Sequence, residues 1–321
     1  MDLTREALRP GVVYADPYGH TLMIARWCPQ NSGESGRMLA VDAQPDGTIG
    51  IKRFWRGSFF YRNGDQFGES GFKAFRPLVE VNGRLRPLNN AQIQEDSRFL
   101  SPAPTLATQT PAQFYDRMDR IINPQPLDPV QAYYEIHKAV YERLQARGLS
   151  VANGEAFKQL NGSRVIPMPE GEEIFRTTGP WEEYATPVRD LKLLIALDVL
   201  LDFPDRIKRH PESFSLPDGL SAWQPQEQLL RKHLEWAEEF FIVYTDSGGK
   251  EQRLTIRETL GRMEELEMAY NPNDCIEIRW GEKEKNLSLS AAGVRRAPRE
   301  QRLRMENMRR WFRNRTFPVF R

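Results

Sequence analysis

Residues 9–24 read Arg-Pro-Gly-Val-Val-Tyr-Ala-Asp-Pro-Tyr-Gly-His-Thr-Leu-Met-Ile. A Pro-Gly turn leads into a short apolar strand, and a second turn, Asp16–Gly19, leads into another apolar run at Thr21–Ile24. Proline and glycine mark turns, while β-branched and aromatic residues fill strands. The stretch therefore predicts two adjacent strands, with His20 at the start of the second. A histidine at this position is either a half-buried structural residue or a group that transfers protons.

Strand patterns continue to about residue 80, and helical patterns follow them. Turn chemistry at Asn31–Gly36 and Pro45–Gly47 separates short apolar runs, and Asn82-Gly83 predicts a hairpin within Leu78–Arg86. The predicted strands are 12–15, 21–27, 38–42, 49–55, 58–62 and 72–77. The predicted helices are 112–122, 129–147, 154–160, 186–201, 223–244 and 254–268. Strands followed by helices indicate the α+β class.

The charge and the hydropathy of the chain exclude some classes of partner and location. Lys and Arg number 45 against 44 Asp and Glu, so no net field recruits nucleic acid, and we expect no nucleic-acid partner. No apolar run reaches the roughly 18 residues of a membrane span. The start of the chain does not resemble a signal peptide. We expect a soluble, cytoplasmic protein, or a bacterial cell-envelope protein if a signal peptide has been removed.

The sequence contains no motif that indicates a cofactor or a metal ion. It has no phosphate-binding loop, no dinucleotide fingerprint and no paired-cysteine zinc spacing. Cys28 and Cys275 are too few for a disulfide framework or a structural zinc site, although a single disulfide between them stays open. We therefore expect no cofactor and no metal site.

Cys275 has unusual neighbours in the sequence. Asn271–Asp274 predicts a turn, in which Asp274 is suited to cap a helix and Glu277 completes a capping box. Cys275 would then be the first residue of a short helix, whose dipole lowers the pKa of a thiol. Alternatively, the alternation of residues 275–280 predicts a strand with Cys275 on its polar side. We favour the helix.

A nucleophilic cysteine needs a base, and the base needs a polar group that orients it. Only His20 lies at the start of a strand. The other histidines lie in charged helical patterns or in a loop: His137, His210 and His233. Asp42 ends the strand predicted after that of His20, so its carboxylate can orient the imidazole, or it is simply a turn residue. Backbone N–H groups at the start of the helix, including that of Cys275, would receive the oxyanion.

A family resemblance adds to this interpretation. It rests on Pro10–Val13, Gly19–Ile24, Val41–Ala43, Gly47–Ile49, Phe75–Pro77 and the Cys275 segment. In this order these elements resemble the permuted NlpC-type branch of the papain-fold cysteine peptidases and amidases, to which relatives of lecithin:retinol acyltransferase belong. The resemblance implies a permuted papain-like sheet in which Cys275 is the nucleophile, His20 the base and Asp42 the orienting residue. It further implies a bacterial peptide, peptidoglycan or lipid-ester substrate.

The chain departs from this family in two respects. The stretch between the β-rich part and Cys275 is longer than a minimal domain needs, and no long apolar helix follows the cysteine. We expect a β-rich half over residues 1–112, a helical insertion or lobe over 113–268, and the cysteine segment with a basic C-terminal helix over 269–321. The helical lobe is expected to wall the groove that leads to Cys275.

Three aromatic residues are candidates for substrate binding. Trp181 and Tyr184 lie in a loop rich in glycine and proline, and Trp55 lies in a dense aromatic run. The alternatives are an ordinary helix start at Thr186-Pro187 and a core strand pair. The favoured function is thiol-dependent hydrolysis or acyl transfer at an amide or ester bond. The alternative is a non-catalytic protein-interaction module that binds a protein partner through its helical lobe and its arginine-rich tail.

Overall fold

A computed structural model shows a mixed α+β protein with 50 % helix and 19 % strand, which confirms the predicted class. The structure describes residues 3–15, 21–31, 34–43, 48–57, 71–99, 110–162, 164–175, 179–216, 224–283, 287 and 294–318. The chain forms two compact units, Met1–Leu127 and Asp128–Arg321. Within the described ranges, none of the helices combines the length and the apolar character that crossing a membrane requires.

The first unit contains most of the strands. Its elements are β1 (Val13–Ala15), β2 (Thr21–Cys28), β3 (Arg37–Ala43), β4 (Ile49–Arg53), β5 (Gly71–Lys73), β6 (Leu78–Val81), β7 (Arg84–Pro87), α1 (Asn90–Glu95) and α2 (Pro111–Ile122). The predicted strand 58–62 and His20 lie outside the described residues. The sequence places α2 in the helical region that follows the sheet, whereas in the structure it belongs to the first unit.

The second unit is mainly helical. Its elements are α3 (Pro129–Asn161), α4 (Pro180–Tyr184), α5 (Pro187–Arg209), α6 (Gln224–Glu239), β8 (Phe241–Thr245), β9 (Glu251–Thr255), α7 (Ile256–Gly261), α8 (Met263–Leu266), α9 (Ile276–Arg279) and α10 (Arg299–Arg313). Strands β8 and β9 form a hairpin of their own.

The sheet of the first unit has the strand order β4-β3-β2-β1-β5 and is antiparallel throughout. Burial alternates throughout β3 and over Thr21–Ala25 of β2, as in strands with one face on a core. The core residues include Tyr14, Ile24, Met38 and Ala40, and α2 adds Phe114, Met118 and Ile122. The period-two pattern of the sequence is therefore confirmed in β3 and in the first part of β2.

Helix α2 docks on the sheet through a close backbone approach. At Gly36 a Cβ atom would lie 2.2 Å from the carbonyl oxygen of Ile122, so only glycine fits there. The Gly36 N–H donates to Asn123 Oδ1 (2.7 Å). On the same helix, Asp119 pairs with Arg56 (2.8 Å). The turn predicted at Asn31–Gly36 thus has a packing role.

The predicted hairpin around Asn82-Gly83 is confirmed. Strands β6 and β7 pair from Leu78↔Pro87 to Val81↔Arg84. Asn82 and Gly83 have φ values of 53° and 74°, the left-handed conformations that a two-residue type I′ turn requires. The two turn residues Asn82 and Gly83 are therefore sufficient to predict this hairpin.

Helix α3 differs from its prediction. The sequence predicts two helices, 129–147 and 154–160, because glycines interrupt the pattern, whereas the structure has one helix of 33 residues. A Cβ at Gly154 would lie 2.6 Å from Arg279 Nη1, and one at Gly148 would lie 3.7 Å from the Trp280 ring. Gly154 therefore permits the close approach of Arg279, whereas a side chain at Gly148 would make only ordinary contact with Trp280, and neither glycine ends the helix.

The helix predicted over 223–244 is wrong beyond Glu239, and the helix over 254–268 begins too early. Phe241–Thr245 forms β8, in keeping with its run of aromatic and β-branched residues. Thr255 ends β9 and caps α7 in a capping box with Glu258. The amphipathic pattern of α6 continues without a break into the apolar residues of β8. The spacing of apolar residues therefore does not reveal where the helix ends and the strand begins.

A buried ion pair joins α3 to α5. Arg147 Nε donates to Asp190 Oδ1 (2.6 Å), and both side chains are fully buried. The apolar side of α5 packs around this pair, as the apolar run Leu191–Leu201 predicts. A charge in such a place is tolerated only with its partner, because the protein interior solvates ions poorly.

Breaking this pair should be costly. In Asp190→Asn the Arg147 guanidinium loses its counter-charge, and we expect the free energy of unfolding to fall by about 3–5 kcal/mol. Urea denaturation followed by circular dichroism measures the loss. The exposed pair Asp202–Arg209 supplies the control, because Asp202→Asn should cost less than about 1 kcal/mol. Similar losses in both variants would contradict the assignment.

Two histidines meet between α3 and α6. His137 is fully buried; its Nδ1 lies 2.9 Å from the Tyr133 carbonyl oxygen and its Nε2 lies 3.1 Å from His233 Nδ1. The Tyr133 hydroxyl is 3.2 Å from the same His233 nitrogen. Burial, opposed by the Tyr133 carbonyl and reinforced by His233, lowers the pKa of His137 from 6.5 to about 4. Burial also lowers the pKa of His233, and Arg257 adds to that effect.

This pair should make the second unit sensitive to acid. The unfolded chain binds a proton at His137 as the pH falls through 6.5. In the folded chain His137 stays neutral until the pH reaches about 4. Stability is therefore lost as the pH falls through that window, and at pH 5 the loss is about 2 kcal/mol. Urea denaturation at pH 7 and pH 5 should show a smaller change for His137→Gln than for the wild type. The loop variant His210→Gln serves as the control, and an unchanged pH dependence in His137→Gln would contradict the prediction.

Candidate functional site

Cys275 lies in a buried connection between α8 and α9. We refer to residues 269–281 as the cysteine segment. Its residues are buried with the exception of the half-buried Glu277. The ring of Tyr270 stacks on Phe312 of α10 at a centroid distance of 4.9 Å. The segment is therefore part of the core of the second unit.

A network of buried amides holds the cysteine segment. Asn271 Oδ1 accepts the Asn273 N–H (2.9 Å), and the Asn273 side-chain oxygen accepts Lys158 Nζ (2.6 Å) and the Ile166 N–H (2.9 Å). Both asparagine side chains donate to Gln301 Oε1 at 2.9 Å. Because buried polar groups are costly unless they are paired, this network specifies one backbone conformation.

The predicted capping box around Cys275 is wrong. Asp274 Oδ1 accepts the Ala297 N–H (2.8 Å) instead of capping a helix. Glu277 accepts the N–H (2.6 Å) and the hydroxyl (2.8 Å) of Ser247, in the turn between β8 and β9. Cys275 itself is the N-cap residue of α9, and its side chain makes no capping hydrogen bond. The two carboxylates thus tie the segment to neighbouring elements.

The surroundings of the Cys275 thiol differ from the expectation as well. The residue is 3 % exposed, and its N–H donates to the Arg295 carbonyl oxygen (2.9 Å). Burial raises the pKa of the thiol to about 12; the carboxylates of Glu277 and Asp274 add to this, while the Ile278 N–H opposes it. The expected low pKa is therefore wrong, because desolvation outweighs the small dipole of a four-residue helix. Both cysteines are free thiols.

Two buried guanidinium groups help to hold the cysteine segment, that of Arg279 within it and that of Arg147 on α3. Arg279 donates to the Tyr184 carbonyl oxygen (2.7 Å), and burial together with the nearby Arg147 lowers the pKa of Arg279 to about 9. Arg147 donates to the Arg279 carbonyl oxygen (2.6 Å) and lies 4.6 Å over the Trp280 ring. Neither arginine is among the residues that the sequence patterns single out. The signal for Arg147 is that it occupies an apolar position of α3.

The candidate substrate-binding residues lie in different environments. Trp181 is 3 % exposed, and its indole N–H donates to a backbone carbonyl (3.1 Å). This burial argues against the predicted role of Trp181 at the rim of a binding site. Tyr184 and Trp55 are half-buried, and the Trp55 indole packs over Gly57, where a Cβ would lie 2.3 Å from the ring.

Asp42 is an acidic residue on the buried face of the first unit. It is 7 % exposed and lies on the face of the sheet that also buries Leu22 and Ile24. Its Oδ2 is 3.8 Å from Lys52 Nζ. Within the described ranges, its Oδ1 accepts no hydrogen bond. Because a buried carboxylate oxygen without a donor is costly, a hydrogen-bond donor to Asp42 Oδ1 would stabilise the first unit.

The site residues predicted from the sequence are distributed over both units. His20 and Asp42 belong to the first unit, and Cys275 belongs to the second. The described parts of the chain contain no group of three or more His, Cys, Asp and Glu side chains that could hold a metal ion. No protein-family model, curated protein or solved structure matches this chain.

The buried thiol should be slow to react. At pH 8 we expect native Cys275 to react with iodoacetamide at least about 100-fold more slowly than a free cysteine, because the raised pKa of its thiol leaves almost no thiolate. The Cys28→Ser variant isolates this rate, and the same variant in guanidinium chloride shows the rate of the unfolded thiol. A native rate equal to that of free cysteine would contradict the prediction.

Proposed function

We propose that the chain is a thiol-dependent hydrolase or acyltransferase that acts on an amide or ester bond. Cys275 is the nucleophile, His20 the base and Asp42 the residue that orients the base. The substrate is a peptide, a peptidoglycan fragment or a lipid ester, on the permuted papain-like scaffold that the sequence resembles. The proposal draws its main support from the Asp42 carboxylate.

Asp42 supports the proposal because its side chain is buried and one of its carboxylate oxygens has no hydrogen-bond donor among the described residues. Its Oδ1 is buried and meets no donor in the described residues. An imidazole N–H is a donor that would satisfy this oxygen and would be fixed in one tautomer by it. His20 directly precedes β2 in the sequence, and β2 pairs with β3, the strand that carries Asp42. The sequence by itself predicts the pairing of His20 with Asp42.

The raised pKa of the thiol determines how the reaction begins. Cys275 is a protonated thiol at rest, so His20 removes the proton as the sulfur attacks the carbonyl carbon. The tetrahedral intermediate collapses to a thioester, and the leaving group takes the proton from His20. Water or a second acceptor then breaks the thioester.

The oxyanion of this reaction needs backbone donors other than the Cys275 N–H. That N–H already donates to the Arg295 carbonyl oxygen, so the proposal assigns the oxyanion to the remaining N–H groups at the start of α9. Cys275 and the His20–Asp42 pair belong to different units, so the proposal also requires these groups to meet in the working protein.

A second candidate is a non-catalytic protein-interaction module. One observation favours it: Cys275 is buried in a segment whose asparagines and acidic side chains all make structural contacts. Under this alternative, Cys275 contributes to stability and carries no chemistry.

Ester turnover separates the two candidates. With p-nitrophenyl acetate as the probe, we expect Cys275→Ser and His20→Ala to abolish turnover and Asp42→Asn to lower it by about 10²–10⁴-fold. Intact-mass measurement should show one acyl group on the wild type and on Cys28→Ser, and none on Cys275→Ser. The matched controls Asp16→Asn and Asp46→Asn should retain activity. Equal turnover in the wild type and Cys275→Ser would overturn the proposal and leave the interaction module.

A further inference from the structure

A cavity of about 600 Å³ lies between α10 and the stretch of chain that runs from α8 to the residues after α9. We call it the arginine cavity. Its volume is that of a site for a small molecule. Apolar side chains form part of its wall, namely Ile278, Leu303 and Met305. Five carboxylates and five basic side chains line the rest, so the place of each charge decides which ligand the cavity favours.

Four of the five carboxylates already have a basic partner. The pairs are Glu264–Arg309, Glu265–Lys283, Asp274–Arg296 and Glu282–Arg262. The fifth carboxylate, Glu306, forms no ion pair among the described residues, and its charge acts on Arg309. Two basic groups of the lining, Arg299 and Arg302, are therefore left without an ion-pair partner in the described part of the chain.

Asp274 cannot balance the charge of Arg302 alone. Its buried carboxylate is within electrostatic range of three guanidinium groups, those of Arg279, Arg296 and Arg302. One of its oxygens also accepts the Ala297 N–H (2.8 Å). Because one negative charge is shared among three positive ones, the end of the cavity at Arg302 has an excess of positive charge.

The guanidinium of Arg302 also lacks a hydrogen-bond acceptor. Its Nε is shielded from solvent and donates to none of the described residues. A shielded N–H without an acceptor is costly, so an acceptor that enters the cavity is favoured. Arg299 lies three residues earlier in α10 and also lines the cavity. Residues at this spacing share a helix face, so the two guanidinium groups can bind one anion together.

We propose that the arginine cavity binds a small organic phosphate. The phosphate accepts hydrogen bonds from Arg299 and Arg302, and the organic part of the ligand packs against Ile278, Leu303 and Met305. A phosphate monoester suits two guanidinium groups because it carries a charge of about −1.5 to −2 and three acceptor oxygens. This site goes beyond the proposed function, because it uses neither the Cys275 thiol nor His20.

Isothermal titration of the full chain with phenyl phosphate tests this proposal. Phenol has the same ring without the charge, and benzoate has a carboxylate in place of the phosphate. We expect phenyl phosphate to bind with a Kd of about 1 mM or lower, benzoate to bind at least about threefold more weakly, and phenol not to bind. Phenyl phosphate that binds no more tightly than phenol, or more weakly than benzoate, would overturn the proposal.

Arginine variants show whether the cavity is the site. We expect Arg299→Gln and Arg302→Gln each to weaken phenyl phosphate binding by at least about tenfold. Arg302→Lys keeps the charge but not the planar fork of donors, so its loss should be smaller. Arg310 supplies the matched control, because it is an exposed arginine of the same helix outside the cavity lining. Arg310→Gln should leave binding within about twofold.

Circular dichroism verifies that the variants fold, and the exposed Arg299 keeps the test decisive if Arg302→Gln does not. Unchanged binding in folded Arg299→Gln, or an equal loss in Arg310→Gln, would overturn the proposal. Cys275→Ser should bind phenyl phosphate as the wild type does. The titration and the ester assay can therefore fail independently of each other.

Discussion

The ion pair between Arg147 and Asp190 is the interaction on which the second unit depends. It joins the two long helices α3 and α5 at a point where neither side chain touches water. The same guanidinium also donates to the carbonyl oxygens of Ala269 and Arg279, on either side of Cys275. One buried charge therefore positions both the helix pair and the cysteine segment. Because the charge cannot be left unpaired, these elements pack in one arrangement.

The packing of the cysteine segment has two opposite effects on Cys275: it fixes the position of the side chain and lowers the reactivity of its thiol. Its amide network holds Cys275 in one conformation, which suits a nucleophile that must meet a carbonyl carbon at a defined angle. The same burial raises the pKa of the thiol to about 12, which disfavours the reactive thiolate. Under the proposed function, a cysteine in this state would need a base in each turnover. In the first unit, Asp42 has a buried carboxylate oxygen that accepts no hydrogen bond from the described residues.

In the β8–β9 hairpin, strand β8 has one face in the core and one edge that β9 does not cover. Ile242 and Tyr244 point inward, and the Tyr244 ring stacks on Trp280 at 5.7 Å, so the inner face is part of the core. The outer edge is left unpaired within the described structure. Natural proteins often protect such edges with charged residues, and Asp246 and Glu251 near the turn act in this sense.

Short-range features of this protein could be predicted from the sequence alone. Asn82-Gly83 specifies its hairpin because few residues adopt left-handed backbone conformations, and alternating burial in β2 and β3 follows from the period of a strand. The apolar character of Leu191–Leu201 likewise predicts a buried helix. The type and place of most elements, and the mixed α+β class, are therefore local properties of the chain.

For the candidate site residues that the structure describes, only the tertiary structure decided the environment of each side chain. Gly148 and Gly154 look like helix breakers, yet both lie within α3, and Gly154 allows the Arg279 guanidinium to approach the helix. The capping box predicted at Asp274 and Glu277 does not form, because Ala297 and Ser247 offer these carboxylates partners that are distant in the sequence. The pKa of Cys275 rises for the same reason. Desolvation depends on every element that packs around a group, whereas sequence spacing reports only its neighbours along the chain.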